Sequence, residues 1–189
     1  GWFTEVLRTR IGSPYVIEAM NSALDAGKHR VVGYEANGGF LTASAITPQS
    51  DGAPLTALPT RDAVLPIIAV LLAAKTANCS LSELVAALPE RYTRSGLQRG
   101  VPNAEGKALV KAFEDAGIDK VKDVFGDIFG EVDTMDFTDG ARITFASGDI
   151  VHLRPSGNAP EFRCYTESST EEQAEKNNAR ALEIIKKVV

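Results

Sequence analysis

Two arginines bracket the chemically most specific stretch of this chain, Arg154-Pro155-Ser156-Gly157-Asn158-Ala159-Pro160-Glu161-Phe162-Arg163. An arginine offers a rigid fork of donors that matches phosphate geometry. Ser156 and Asn158 add neutral donors, and two prolines limit how far the loop can wander. Gly157 allows a positive φ, which would let successive backbone N–H groups converge on an anion. The chemistry this pattern suits is the gripping of a phosphate. The competing reading is an exposed turn whose arginines are simply solvated.

A second cluster is Gly33-Tyr34-Glu35-Ala36-Asn37-Gly38-Gly39. Its carboxylate and its amide lie two residues apart, among glycines that let a ligand approach the backbone closely. A carboxylate accepts from vicinal sugar hydroxyls, while an amide both donates and accepts. Here the competing reading is a glycine-rich turn with Asn37 in the left-handed region and Glu35 in water.

Elements must hold these loops. Ser13 before Pro14 reads as a helix N-cap, with Val16, Ile17, Met20, Ala23 and Leu24 as the apolar stripe and Gly27 as the stop. Residues 1 to about 88 read as a leading strand, this helix, a strand near Val31-Val32, the Glu35 loop and two further helices. Residues 47–59 hold four Pro or Gly and read as a surface excursion. Thr60 or Asp62 heads the next helix, whose apolar run at 63–74 predicts burial. It is too short for a membrane span, which needs about 20 residues. Ser80 with Glu83 forms a capping box, and Pro89 stops that helix.

Beyond Pro89 the composition changes. Residues 90–102 read as a hinge or first strand, and 103–116 as a helix closed by Gly117. Residues 131–167 alternate polar and apolar side chains between turns at Asp139-Gly140 and Ser147-Gly148-Asp149. Ser169 with Glu172 reads as the cap of a terminal helix that turns Ala174, Asn178, Ala181, Leu182, Ile185 and Val189 inward. The phosphate-type loop then joins two strands of an antiparallel sheet packed by helices, a rigid mount for a ligand.

The global composition excludes several classes. A net charge of −5, with no basic run longer than two, argues against a nucleic-acid surface. Cys79 and Cys164 stand far apart, fit no metal spacing and read as buried thiols of a reducing compartment. There is no signal-peptide pattern, and Gly1-Trp2-Phe3 reads as a start in mid-protein.

Taken together, the two loops resemble the C-terminal half of the α-D-phosphohexomutase family. That family carries a phosphate loop R-x-S-G-T-x-P-x-x-R, against R-P-S-G-N-A-P-E-F-R here, and a sugar loop G-E-x-S-G, against Tyr34-Glu35-Ala36-Asn37-Gly38. Further matches are residues 10–20 (RIGSPYVIEAM) and Thr60-Arg61-Asp62 ahead of the apolar helix, in the family's order and spacing. The resemblance implies α/β plus α+β architecture. Residues 1–89 would be the C-terminal portion of domain 3, with a mixed sheet and helices. Residues 90–189 would be domain 4, a small antiparallel sheet packed by helices in the manner of TATA-box-binding protein.

It also implies roles. Arg154, Ser156, Gly157, Asn158 and Arg163 would hold the non-transferring phosphate. Glu35 and Asn37 would read sugar hydroxyls, O3 and O4. Gly12 and Ser13 match a segment near the substrate. Asn158 replaces the usual threonine, exchanging a hydroxyl for an amide that can still donate to phosphate, and Asn37 replaces the usual serine, which bears on hydroxyl recognition. The family's phosphoserine loop (T-A-S-H-N-P) and Mg²⁺ loop (D-G-D-x-D-R) are absent from this sequence; Thr42-Ala43-Ser44 only echoes the former. Mg²⁺ and a hexose 1,6-bisphosphate therefore belong, on this resemblance, to a longer cytoplasmic enzyme whose earlier domains carry the chemistry. Its implied substrates are mannose phosphates first and glucose phosphates second. The alternative in a different class is a non-catalytic sugar-phosphate-binding module. Neither nucleic acid nor membrane is an expected partner.

Overall fold

The computed structural model describes residues 3–36, 38–47, 52–157 and 159–189. The chain divides into two units, 1–88 and 89–189.

In the first unit, helix α1 (Ser13–Asp25) is followed by strands β1 (Val32–Tyr34), β2 (Phe40–Thr42) and β3 (Leu58–Asp62), then helices α2 (Val64–Ala77) and α3 (Leu81–Ala86). The sheet runs β1-β2-β3 and is antiparallel throughout, so the described residues contain no parallel component of the expected mixed sheet. Pairing places Tyr34 opposite Phe40, and Phe40 opposite Asp62. α1 lies directly on β1, burying Val16 and Met20 with Leu41. Gly33 makes this possible, because a Cβ there would collide with Val16 and Met20.

Four expectations need correction. Residues 4–10 pair with no strand; an extended segment becomes a strand only where a neighbour takes up its hydrogen bonds. Thr60 lies in β3, which includes Pro59 and continues to Asp62, so the surface excursion ends earlier than its prolines suggest. Asp62 Oδ1 instead heads α2, accepting from the N–H groups of Val64 and Leu65 at 2.8 and 3.2 Å. The apolar helix α2 is not buried: Ile67 is 60% and Leu71 51% exposed. A three-stranded sheet and two short helices offer too little surface to cover a helix that is apolar all round. α3 does carry the expected capping box, with Ser80 N–H donating to Glu83 and Glu83 N–H to Ser80 Oγ.

The second unit begins with β4 (Tyr92–Arg99) and helix α4 (Asn103–Phe125), which is broken at Gly117 (φ 58°, ψ −134°). Strands β5 (Val132–Asp136), β6 (Ala141–Phe145), β7 (Ile150–Pro155) and β8 (Glu161–Ser168) precede helix α5 (Glu171–Val188). They form one antiparallel sheet in the order β4-β8-β7-β6-β5. Alternate residues Ala141, Ile143, Phe145, Leu153, Phe162 and Cys164 face a core shared with Leu109, Phe113 and Phe125 of α4 and Ala181 and Ile185 of α5. Both helices therefore cover one face, as expected. α5 starts one residue later than its predicted cap: Thr170 Oγ1 accepts from Gln173 N–H, because the β8 ladder runs on to Ser168. Asn177 joins Asn178 as a second buried amide on this helix. Burial pushes the Cys164 thiol up to about 12, whereas Cys79 is only partly buried. Among the described residues no helix is long and apolar enough to cross a membrane.

Candidate functional site

The β1–β2 connection is a tight turn. Glu35 N–H donates to Gly39 O at 2.9 Å and Gly38 N–H to Glu35 O at 3.0 Å, with Gly38 at φ 90°. A residue with a side chain is strained in that conformation. The turn aims Glu35 back at the start of α1, and its side chain is only 7% exposed. Gly12, at φ 132°, is the helix N-cap in place of Ser13. The Ser13 hydroxyl, released from capping, donates to Glu35 Oε2 at 3.0 Å. Arg61, near the end of β3, closes the triangle: its Nε donates to Ser13 Oγ at 2.7 Å and to Glu35 Oε2 at 2.8 Å. The positive end of α1 adds favourable potential for the carboxylate. Glu35 Oε1 is buried and has no hydrogen-bond partner among the described residues. Asn37 lies outside them.

In the second unit the ladder sets Arg154 of β7 directly opposite Arg163 of β8. Both project from the sheet face that α4 and α5 leave uncovered, since their neighbours Leu153, Phe162 and Cys164 point into the core. Like charges directly opposite each other repel, and Asp139 offsets one of them with Oδ2 2.9 Å from Arg154 Nε. That carboxylate is placed by the Asp139-Gly140 turn. Gly140, at φ 91°, is pressed against the Leu153 carbonyl and Arg154, leaving no room for a Cβ.

The connecting loop is closed by Ser156 N–H donating to Glu161 O at 2.8 Å and by Glu161 N–H to Ala159 O at 2.7 Å. Pro160 O accepts from Gly100 and Val101 N–H at 2.9 and 3.2 Å, which anchors the loop to the end of β4. Ser156 is almost wholly buried. Gly157 does not take the positive φ that its type allows. Asn158 lies outside the described residues.

Beside Arg154 on β7, His152 stands opposite Arg142 and Tyr165 in the ladder, its ring 5.7 Å from that of Tyr165. Its Nε2 is 2.7 Å from the Asp139 carbonyl, which can only accept, so Nε2 carries the proton. Burial pushes the imidazole below its usual 6.5, helped by the Arg142 and Arg154 charges and opposed by Asp139.

Residues 3–92 match the family model described as phosphoglucomutase/phosphomannomutase, alpha/beta/alpha domain III, and residues 97–184 the one described as phosphoglucomutase/phosphomannomutase, C-terminal domain. The chain belongs to the phosphoglucomutase/phosphomannomutase family. A phosphomannomutase of Sinorhizobium fredii (strain NBRC 101917 / NGR234) is 48% identical over 96% of this chain and 37% of its own length. A phosphomannomutase of Salmonella muenchen is 43% identical over 92% of the chain and 35% of its own length. The chain thus spans a little over a third of the length of these curated relatives. Both of these relatives are phosphomannomutases.

Two residues that bear on the candidate site were not singled out from the sequence. Arg61 was visible only as part of Thr60-Arg61-Asp62, and Asp139 only as the first residue of a turn. No local pattern reveals that either carboxylate–arginine contact forms, because each joins residues 15 or more apart: Glu35 to Arg61, and Asp139 to Arg154.

Proposed function

We propose that this chain is the substrate-binding C-terminal part of a phosphohexomutase that interconverts hexose 6-phosphate and hexose 1-phosphate, with mannose phosphate as its substrate. The observation that carries this reading is the cross-strand pair Arg154 and Arg163 at the two ends of a short, closed loop. Two guanidinium groups on one sheet face, with Ser156 and Gly157 between them, suit a doubly charged phosphate. Glu35 would accept the sugar hydroxyls, with Asn37 beside it, and Asn158 would add a donor to the phosphate. Gly12 and Ser13 would lie near the substrate. The similarity to two phosphomannomutases favours mannose over glucose.

On this reading the preceding domains supply the phosphoserine, and turnover passes through a bisphosphate that reorients between two phosphoryl transfers. The present residues position substrate and neutralise its charge, which is most of what such a reaction asks of a protein. Among the described residues no group of three His, Cys, Asp or Glu side chains could hold a metal ion, so no metal-dependent step is assigned to them. The reading also implies a cytoplasmic enzyme and little turnover by these two units alone.

The test is Arg154→Ala in the complete enzyme, assayed on mannose 6-phosphate and mannose 1-phosphate. Losing one charge-assisted phosphate contact, about 1.5–3 kcal/mol, lowers kcat/KM about 10- to 150-fold. Unchanged kcat/KM would remove the loop from substrate binding. If the polypeptide ahead of this chain lacks the serine and aspartate-rich loops, the binding-module reading replaces the mutase one.

A further inference from the structure

We infer that Gly106 of α4 is a positioning residue for phosphate binding: by carrying no side chain it lets the last rung of the β7–β8 ladder settle against the helix, and so fixes where Arg154 and Arg163 stand. This rests on the reading of residues 154–163 as a phosphate-binding loop.

Gly106 is the fourth residue of a 23-residue helix and is buried. Its own backbone does not ask for glycine, because the angles of α4 leave the helical range only at Gly117. Alanine there would favour the helix. What excludes a side chain is the neighbour. A Cβ at Gly106 would lie 2.8 Å from Phe162 Cδ2 and 3.1 Å from Pro155 Cβ. Those two residues face each other as the final pair of the β7–β8 ladder, and the pair before it is Arg154 with Arg163. The same stretch of chain also holds the loop at its far end, since Pro160 O accepts from Gly100 and Val101 N–H just ahead of α4.

This contact cannot give way cheaply. Phe162 is wholly buried in the core it shares with Leu109 and Phe113, and Pro155 is a closed ring, so neither swings aside as a flexible side chain would. A methyl group at Gly106 therefore moves the backbone of the last rung, and each arginine moves with the residue bonded to it. Gly96 of β4 provides a contrast. A Cβ there meets Asn178 Oδ1 and Leu182 Cδ1, the outer ends of side chains on α5, which can shift without moving that rung.

The experiment uses the complete enzyme with Gly106→Ala, Gly96→Ala, Phe162→Leu and Arg163→Ala. The readouts are steady-state kinetics on mannose 6-phosphate and the inhibition constant of inorganic phosphate, and circular dichroism checks the fold of each variant. Gly106→Ala is expected to raise KM and the phosphate inhibition constant about tenfold, with kcat changed less than about threefold, the pattern of lost ground-state binding. Gly96→Ala, which overpacks the same unit elsewhere, leaves both within about twofold of wild type. Adding Phe162→Leu to Gly106→Ala recovers part of the loss. Unchanged KM and phosphate inhibition in Gly106→Ala, while Arg163→Ala is impaired, overturn the positioning role and leave the phosphate reading intact. An equal rise in Gly96→Ala also overturns it, since that is general damage. If Gly106→Ala does not fold, Phe162→Leu tests the same contact: weaker phosphate inhibition with kcat kept supports the role, and unchanged inhibition overturns it. No effect of Arg163→Ala overturns the phosphate reading itself, and this inference with it.

Discussion

Asp139→Asn isolates the charge that lets Arg154 and Arg163 stand opposite each other. The pair it breaks has Nε and Oδ2 2.9 Å apart, with Arg154 17% and Asp139 20% exposed. Fully exposed pairs contribute about 0–1 kcal/mol, and removing one partner of a fully buried pair costs about 3–5 kcal/mol. Four-fifths burial places this one between, at about 2 kcal/mol. Asparagine keeps the shape of the turn and can still accept from Nε, so the loss is one of charge. For a unit of about 100 residues, 2 kcal/mol lowers Tm by about 10 °C. Thermal unfolding followed by circular dichroism reads this shift. Inorganic phosphate should then raise the Tm of Asp139→Asn by more than that of wild type, because an anion between the two arginines replaces the missing carboxylate. A Tm within 1 °C of wild type, or a smaller phosphate response in the variant, would refute the argument that Asp139 is the counter-charge of the loop.

Two further outcomes follow from neighbouring features. Because His152 is held below its usual 6.5 in the fold, the unfolded chain binds the proton more readily. Its contribution to stability is therefore complete above pH 6.5 and declines as pH falls from there through the depressed value. Urea midpoints at pH 7.5 and 5 should differ less in His152→Gln, and an NMR titration of His152 at or above 6.5 would contradict this. Gly33→Ala forces a methyl group against Val16 and Met20 and should destabilise the first unit by about 1–3 kcal/mol. Denaturant unfolding of that unit measures the loss.

Local signals were legible in the sequence wherever the interaction is itself local. The Ser80–Glu83 capping box spans one helical turn, Gly117 breaks α4 by its own backbone, and the alternation in Ala141–Phe145 marks its inward face without reference to any partner. β3 was not legible, because Pro59 argues for a loop and only the pairing of Phe40 with Asp62 and of Thr42 with Leu58 makes it a strand. The apolar run of α2 predicts a buried helix, but burial depends on how much surface surrounds it, and this unit offers little. In the candidate site, Arg154, Arg163 and Glu35 stood out by residue type. Arg61 and Asp139 act through contacts that exist only once separate elements meet. Gly157 shows the opposite error: a glycine that can take a positive φ does so only if the chain around it demands one.

The alternation along β7 and β8 makes the hydrophobic core a proofreader of the arginine pair. Leu153 and Arg154, like Phe162 and Arg163, are adjacent residues on opposite faces of one sheet. A single-residue insertion or deletion within either strand would turn an arginine inward and a core side chain outward. Such a chain would fail to fold before it could present a misaligned loop. Length changes confined to residues 156–160 face no such filter. Register in the strands is therefore screened by folding itself, whereas residues 156–160 answer to their own closing hydrogen bonds and to the phosphate they are proposed to hold.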